Sequence, residues 1–161
     1  MQLEMMTEAD AGLRVRAETD PEMMSELGGP RPQQDIERAH AMSLALAAEG
    51  KCWPLKVIVD GVAAGFVVIW ESSHAGQPIY EIGWMILPEF QGSGLASRAV
   101  RETLAKAREE RKFGQIHAFP AVTNGPSNKI CAKNGFTNLG ECQAEFAGRG
   151  LRCNHWRIDL F

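Results

Sequence analysis

No excess of positive charge runs through these 161 residues: 17 lysines and arginines stand against 20 aspartates and glutamates, for a formal net charge of −3. A surface that grips a nucleic-acid backbone shows the opposite balance, so no nucleic-acid partner is expected. Long hydrophobic runs are missing too. The longest, Val62 to Trp70 with Gly65 inside it, falls well short of the ~20 residues that cross a bilayer, and the N-terminus has no basic-then-apolar leader. No membrane partner and a cytoplasmic location are therefore expected. The four cysteines, Cys52, Cys131, Cys142 and Cys153, have no CxxC spacing, which favours reduced thiols over staples. No His/Cys/Asp/Glu cluster has zinc spacing and no GxSxG elbow is present, so neither a metal nor a covalent nucleophile is assigned. What remains is one domain over residues 1–161, a length that buries about 70% of its unfolded surface.

What the chain does have is glycine at one telling place. Gln91-Gly92-Ser93-Gly94-Leu95-Ala96 lies between a strand-like stretch, EIGWMILP, and an amphipathic helix. The first N–H groups of a helix have no partner inside it, and the aligned peptide dipoles leave partial positive charge there. Gly92 and Gly94 permit the φ > 0 turn that aims several amides at one point and keep side chains away from it. The run reads as a diphosphate cradle. A Walker loop would follow its last glycine with Lys-Ser/Thr, but Leu95-Ala96 follow here, so Mg²⁺ and a γ-phosphate have no holder. The dinucleotide fingerprint GxGxxG lacks its third glycine.

Local patterns alternate strands with helices. A first strand is expected near Leu3–Met6, a helix from Glu8 to Ala17, and a helical segment with Asp20 as N-cap, Pro21 at N1 and Gly28-Gly29-Pro30 as its end. A second helix spans Gln33–Glu49, with Ile36, Ala39, Met42 and Leu46 on its apolar face and His40 facing solvent. Leu55–Val59 and Val62–Trp70 form a hairpin about Asp60-Gly61, with His74 in the following loop. The strand Ile79–Ile86 puts Glu81, Gly83 and Met85 on one face. In the helix after the loop, Leu95, Ala99, Val100, Leu104 and Ala107 form the buried stripe and Gly114 closes the segment. Gln115–Val122 reads as a strand, Ser127–Lys133 as a short helix, and Leu139–Phe146 with Leu151–Leu160 as a terminal hairpin. The fold class is mixed α/β (α+β).

Three segments carry a resemblance to a known family. The opening MMTEADAGLRVRAETDPEMMSELGGPRP, the segment YEIGWMILPEFQGSGLASRAV, and Asn124-Gly125-Pro126-Ser127-Asn128 with Ile130-Cys131-Ala132-Lys133-Asn134-Gly135-Phe136 together resemble the GNAT N-acetyltransferases, in particular the RimJ/RimL-like branch that acetylates ribosomal-protein N-termini. The resemblance implies a mixed central sheet flanked by helices, with the fourth and fifth strands splayed apart. It implies acetyl-CoA as cosubstrate: Met85, Ile86 and Leu87 bind the pantetheine amides, Gln91, Gly92, Ser93, Gly94, Leu95 and Ala96 surround the pyrophosphate, and Asn124 with Ser127 reach the arm from the other side. Several members pair through edge strands, so a homodimer is a further expectation.

The implied reaction is direct attack of a primary amine on the thioester. A protein α-amine of pKa about 7.8 is roughly 15% neutral at pH 7, whereas a lysine amine near 10.4 is neutral about once in 2,500 molecules, a gap of roughly 3.5 kcal/mol. A mild base suffices for the former. Glu81 is the candidate base; its alternative is a surface carboxylate paired with a lysine or arginine. Many family members place a tyrosine, the acid for the leaving thiolate, where this chain has Cys131; a thiol can serve or can simply fill the core. His117 and His155 could border the acceptor end of the cleft, and Arg98 and Arg101 either meet the cofactor's 3′-phosphate or line a solvated helix face. The competing functions are acetylation of a polyamine, amino acid or aminoglycoside, and a non-catalytic CoA-binding module.

Overall fold

Seven strands, β1 (Gln2–Met5), β2 (Cys52–Val59), β3 (Val62–His74), β4 (Gln77–Ile86), β5 (Gln115–Ala118), β6 (Thr137–Phe146) and β7 (Arg149–Asp159), join in one sheet of order β1-β2-β3-β4-β5-β7-β6 in the computed structural model, which describes residues 1–161. Four α-helices, α1 (Ala11–Glu18), α2 (Gln33–Ala48), α3 (Leu95–Glu109) and α4 (Gly125–Lys133), cover its faces. All neighbouring strands are antiparallel except β4 and β5, which run parallel. The fold is the mixed α/β arrangement that the pattern of the sequence implied.

The sheet has a core on each side because its central strands are apolar on both faces. Along β3, Val67 and Ile69 enter the larger core with Leu55, Ile82, Val100, Leu104 and Ile116, while Phe66 and Val68 enter a smaller one with Met6, Ala17, Cys52 and Leu87. The first core lies under α3 and α4, and the second under α1 and α2. A fully buried Leu or Ile such as Leu55, Ile69 or Ile116 contributes about 1.5–3 kcal/mol relative to exposure. Turn chemistry sets the registers. Asp60-Gly61 and Ala75-Gly76 both have positive φ at each central position, the geometry whose twist matches that of a hairpin. They fix Val59 opposite Val62 and His74 opposite Gln77.

Several local expectations give way to tertiary packing. The Asp20 carboxylate does cap, accepting from the N–H groups of Glu22 and Met23 at 2.9 Å, but the segment it opens is a turn with a single 3-10 turn, Ser25–Leu27, rather than a helix. In α2 the expected Ile36, Ala39 and Leu46 do turn inward, buried or half-buried, but the face extends further round to His40, Ser43, Leu44 and Ala47 and leaves Met42 outside it. Met42 is consequently 65% exposed and His40 is buried, its Nε2 2.8 Å from the Thr7 carbonyl. His74 ends β3 rather than lying in a loop. Expected to reach Val122, β5 stops at Ala118, because Pro120 lacks the N–H that a ladder needs.

Charged groups tie the α1–α2 connection to the rest. Glu18, 1% exposed, is held between the guanidinium groups of Arg14 and Arg31. Arg149 of β7 donates to the carbonyls of Leu27, Gly29 and Pro30, and Glu26 accepts from the Thr123 hydroxyl at 2.5 Å. The connection is thereby clasped against the β6–β7 hairpin, over the α1–α2 face of the sheet.

Candidate active site

The site begins where the sheet opens. β4 and β5 share one rung, Glu81 opposite His117. Beyond that rung, from Gly83 to Ile86, β4 has no further rung with β5, so backbone groups on its edge stand without strand partners. An extended chain bearing amides can take that place. The splay of the fourth and fifth strands is therefore present, and Met85 and Ile86 lie along it, with Leu87 just beyond.

At the wide end of the fork, α3 starts on a left-handed Gly94. The amides of Gly92, Ser93, Gly94, Leu95, Ala96 and Ser97 donate to no acceptor within the chain, and the helix has no side-chain cap. Gly92 and Gly94 have φ near 84° and 79°, and a β-carbon at either would meet nothing within 4 Å. Their glycine is demanded by backbone conformation, and the space before them is open. The donors present, backbone N–H groups at a helix N-terminus, fit a diphosphate. Gln91 contributes differently from its neighbours: its side-chain amide donates to the Ile86 carbonyl at 2.7 Å, tying the loop to the end of β4.

Asn124 and Ser127 stand at the start of α4, where the Asn124 side chain accepts from the Ser127 N–H at 3.1 Å as an N-cap. Asn128, which the sequence reading passed over, holds this region to β7. It donates to the carbonyls of Ala121 and Asn124 and accepts from Asn154 Nδ2 at 2.8 Å and Trp156 Nε1 at 2.9 Å. An asparagine four residues after another asparagine was its only local signal.

Glu81 is half-buried and forms no ion pair. Burial raises its carboxyl to about 7, with the Ser72 hydroxyl pulling the other way. On the same face of the sheet lie Trp70, Ser72 and His74 from β3, His117 and Phe119 from β5 and its extension, and Cys153, His155 and Arg157 from β7, by strand alternation from the registers Trp70–Glu81, Glu81–His117 and His117–Arg157. The rings of His74, Phe119 and His155 pack with centroids 4.7–4.9 Å apart. A hollow of about 500 Å³ beside Glu8, Glu37, His40 and Leu44 is lined by none of these groups.

Cys131 is 0% exposed within the larger core. Burial pushes its thiol up to about 12. The single tyrosine, Tyr80, packs edge-on against Phe113 at 4.9 Å, on the opposite face of β4 from Glu81. Arg98 pairs with Glu102 on the exposed side of α3, and Arg101 is exposed beside it.

Comparison with known proteins follows the same lines. A model of the acetyltransferase (GNAT) domain family matches residues 1–137. The spermidine N(1)-acetyltransferase of Escherichia coli K12 is 30% identical over 102 residues, 63% of this chain and 54% of that protein; the chain spans about half the length of the curated relatives it matches. The structure of RimL, a ribosomal L7/L12 α-N-protein acetyltransferase in complex with coenzyme A, superposes with a TM-score of 0.80 at 17% identity, over 98% of this chain and 92% of that one. The aminoglycoside acetyltransferase AAC(6')-Ib, also with coenzyme A, gives 0.79 at 17%, over 98% and 93%. With a forked β4–β5 pair, an uncapped glycine-led α3 and a family match over most of its length, the chain belongs to the GNAT acetyltransferase family.

Proposed function

We propose that this protein transfers the acetyl group of acetyl-CoA to the α-amine of a peptide or protein N-terminus. The observation that carries the reading is Glu81: a carboxyl with no basic partner, at the one rung where the fork closes, titrating near neutrality. In this reading the free amides of Gly92 to Ser97 hold the diphosphate, and the open edge of β4 at Met85, Ile86 and Leu87 receives the pantetheine amides. Asn124 and Ser127 flank the arm from α4. The acceptor approaches from the α1–α2 face. Glu81 takes a proton from its ammonium group, either directly or through one water, and the neutral amine attacks the thioester carbonyl. The carbon–sulfur bond breaks, the second proton on the attacking nitrogen passes to the departing CoA thiolate as the amide forms, and Cys131 is kept to packing by its full burial. Alignment of amine and thioester contributes most of the acceleration, since such effective molarities reach about 10⁵ M or more.

The lining favours an α-amine over a polycation. Among the residues sharing the face of Glu81 at the fork, the other carboxyl is Asp159, which pairs with Arg157 and accepts from Gln115, and Arg157 lies beside the three histidines. A second or third ammonium of a polyamine or aminoglycoside would find only Asp159 there, already paired with Arg157. The test is thiol release from acetyl-CoA across peptides with free and blocked N-termini, spermidine and aminoglycosides. Turnover confined to free-N-terminal peptides supports the reading; preference for spermidine or an aminoglycoside replaces it. Tight acetyl-CoA binding with no thiol release under any acceptor favours a CoA-binding module.

A further inference from the structure

His117 and His155 form a hydrogen-bonded pair, with His117 Nδ1 2.7 Å from His155 Nε2. The rest of the network decides which atom carries each proton. Gln115 donates through its Nε2 to Asp159 at 2.7 Å, so its Oε1, 2.9 Å from His117 Nε2, is an acceptor. His117 Nε2 must then carry a hydrogen, which leaves Nδ1 of a neutral His117 as a lone pair. His155 Nε2 must in turn donate to that lone pair. One sequence of bonds, Asp159 to Gln115 to His117 to His155, thus ends in a single unfilled acceptor, His155 Nδ1. That atom has no partner in the protein and is not sealed from solvent. Packing fixes the ring: Phe119 lies over it with planes 22° apart, and His74 meets it at 62°. The pair is anchored at the fork, because His117 is the residue opposite Glu81.

Resting on the acetyl-transfer reading above, we infer that His155 is an acceptor-specificity residue whose Nδ1 accepts an N–H from the incoming substrate, and that His117 and Gln115 are positioning residues that hold this lone pair outward. Its place on the face it shares with Glu81, two strands away across β5, suits a peptide acceptor that reaches past its terminal amine: the amine meets Glu81 and a backbone N–H further along meets His155. A substrate with no N–H at that distance loses this bond.

Two measurements test it. Long-range ¹H–¹⁵N NMR of the histidine rings reads the protonated nitrogen in the whole protein without requiring turnover. The expected result is Nε2–H on both rings, with Gln115→Leu releasing His117 and His155 from that form. Nδ1–H on His155 in the wild type would overturn the inference. Kinetics with a peptide acceptor form the second arm. His155→Phe is expected to raise the acceptor KM about threefold to tenfold, the worth of one hydrogen bond, with the acetyl-CoA KM unchanged. His155→Asn, which keeps an acceptor oxygen near the position of Nδ1, is expected to restore most of the loss. An unchanged acceptor KM in His155→Phe, or an equal loss in His155→Asn, would refute the role. Should His155→Phe fail to fold, Gln115→Leu at the exposed end of the network carries the same KM test. A wild-type protein inactive toward every amine would sink acetyl transfer instead, and the NMR arm would still report on the imidazole pair.

Discussion

Replacing Glu81 by glutamine should make the protein slower and more stable at once. The carboxyl titrates at about 7 instead of 4.5 because burial penalises its charged form, and at about 1.36 kcal/mol per pH unit this sets a ceiling of about 3 kcal/mol on what the ionised group costs the fold. Glu81 is only half-buried, so water screening reduces the working figure to about 1–2 kcal/mol. The sign follows from linkage. An acid whose folded pKa is raised binds its proton more tightly in the folded state, so the native protein loses stability as pH rises from 4.5 through about 7. Glutamine is neutral throughout. The Glu81→Gln variant should therefore match wild type at pH 4.5, pull ahead between 4.5 and 7, and stay ahead above that. A domain of this size converts 1–2 kcal/mol into a melting temperature higher by roughly 3–6 °C at pH 8. Turnover should move the other way, by about 10² if Glu81 is the base, with acetyl-CoA affinity nearly unchanged. Thermal denaturation at pH 4.5 and 8, paired with thiol release and calorimetry, reads all three. A stability difference that ignores pH, or full turnover, would refute the reasoning.

Other substitutions probe the remaining parts. Gly94→Ala forces a methyl-bearing residue into φ near 79°, at about 1–2 kcal/mol of strain, and puts a methyl into the space before the cradle; calorimetry should show acetyl-CoA affinity falling by more than the melting temperature would suggest. Gly65→Ala builds a β-carbon 2.2 Å from the Met85 carbonyl; chemical denaturation should show a loss of at least about 1–3 kcal/mol, with weaker acetyl-CoA binding because β4 must shift. Cys131→Ala should lower stability by roughly 1 kcal/mol through the small cavity it leaves while kcat stays within about twofold of wild type. A drop of tenfold or more in kcat would return that thiol to a chemical role. Arg149→Ala removes the donor that meets the carbonyls of Leu27, Gly29 and Pro30; the acceptor KM should rise while the acetyl-CoA KM holds, as measured by two-substrate kinetics.

Some of this molecule is legible from its sequence for local reasons. Asp60-Gly61 announces a hairpin because positive φ at two consecutive positions is a property of those residues and not of their surroundings. The buried stripe of α3 follows from a 3.6-residue period that no neighbour needs to modify, and the left-handed turn with its free amides follows from two glycines before a helix. Position alone also put Glu81 on the face it shares with Gly83 and Met85. Other features exist only once the chain has closed on itself. Whether Glu81 meets a lysine or stands alone, whether Cys131 opens to the cleft or sits in the core, and whether His40 faces water all depend on residues far away in sequence. The hydrogen-bonded run from Asp159 to His155 joins strands separated by about forty residues, and no periodicity encodes it. The fork between β4 and β5 is the clearest case. It arises where a parallel pair touches at a single rung, and that geometry belongs to the whole sheet: strand types can be read along the chain, but the angle between two strands is set by everything packed against them.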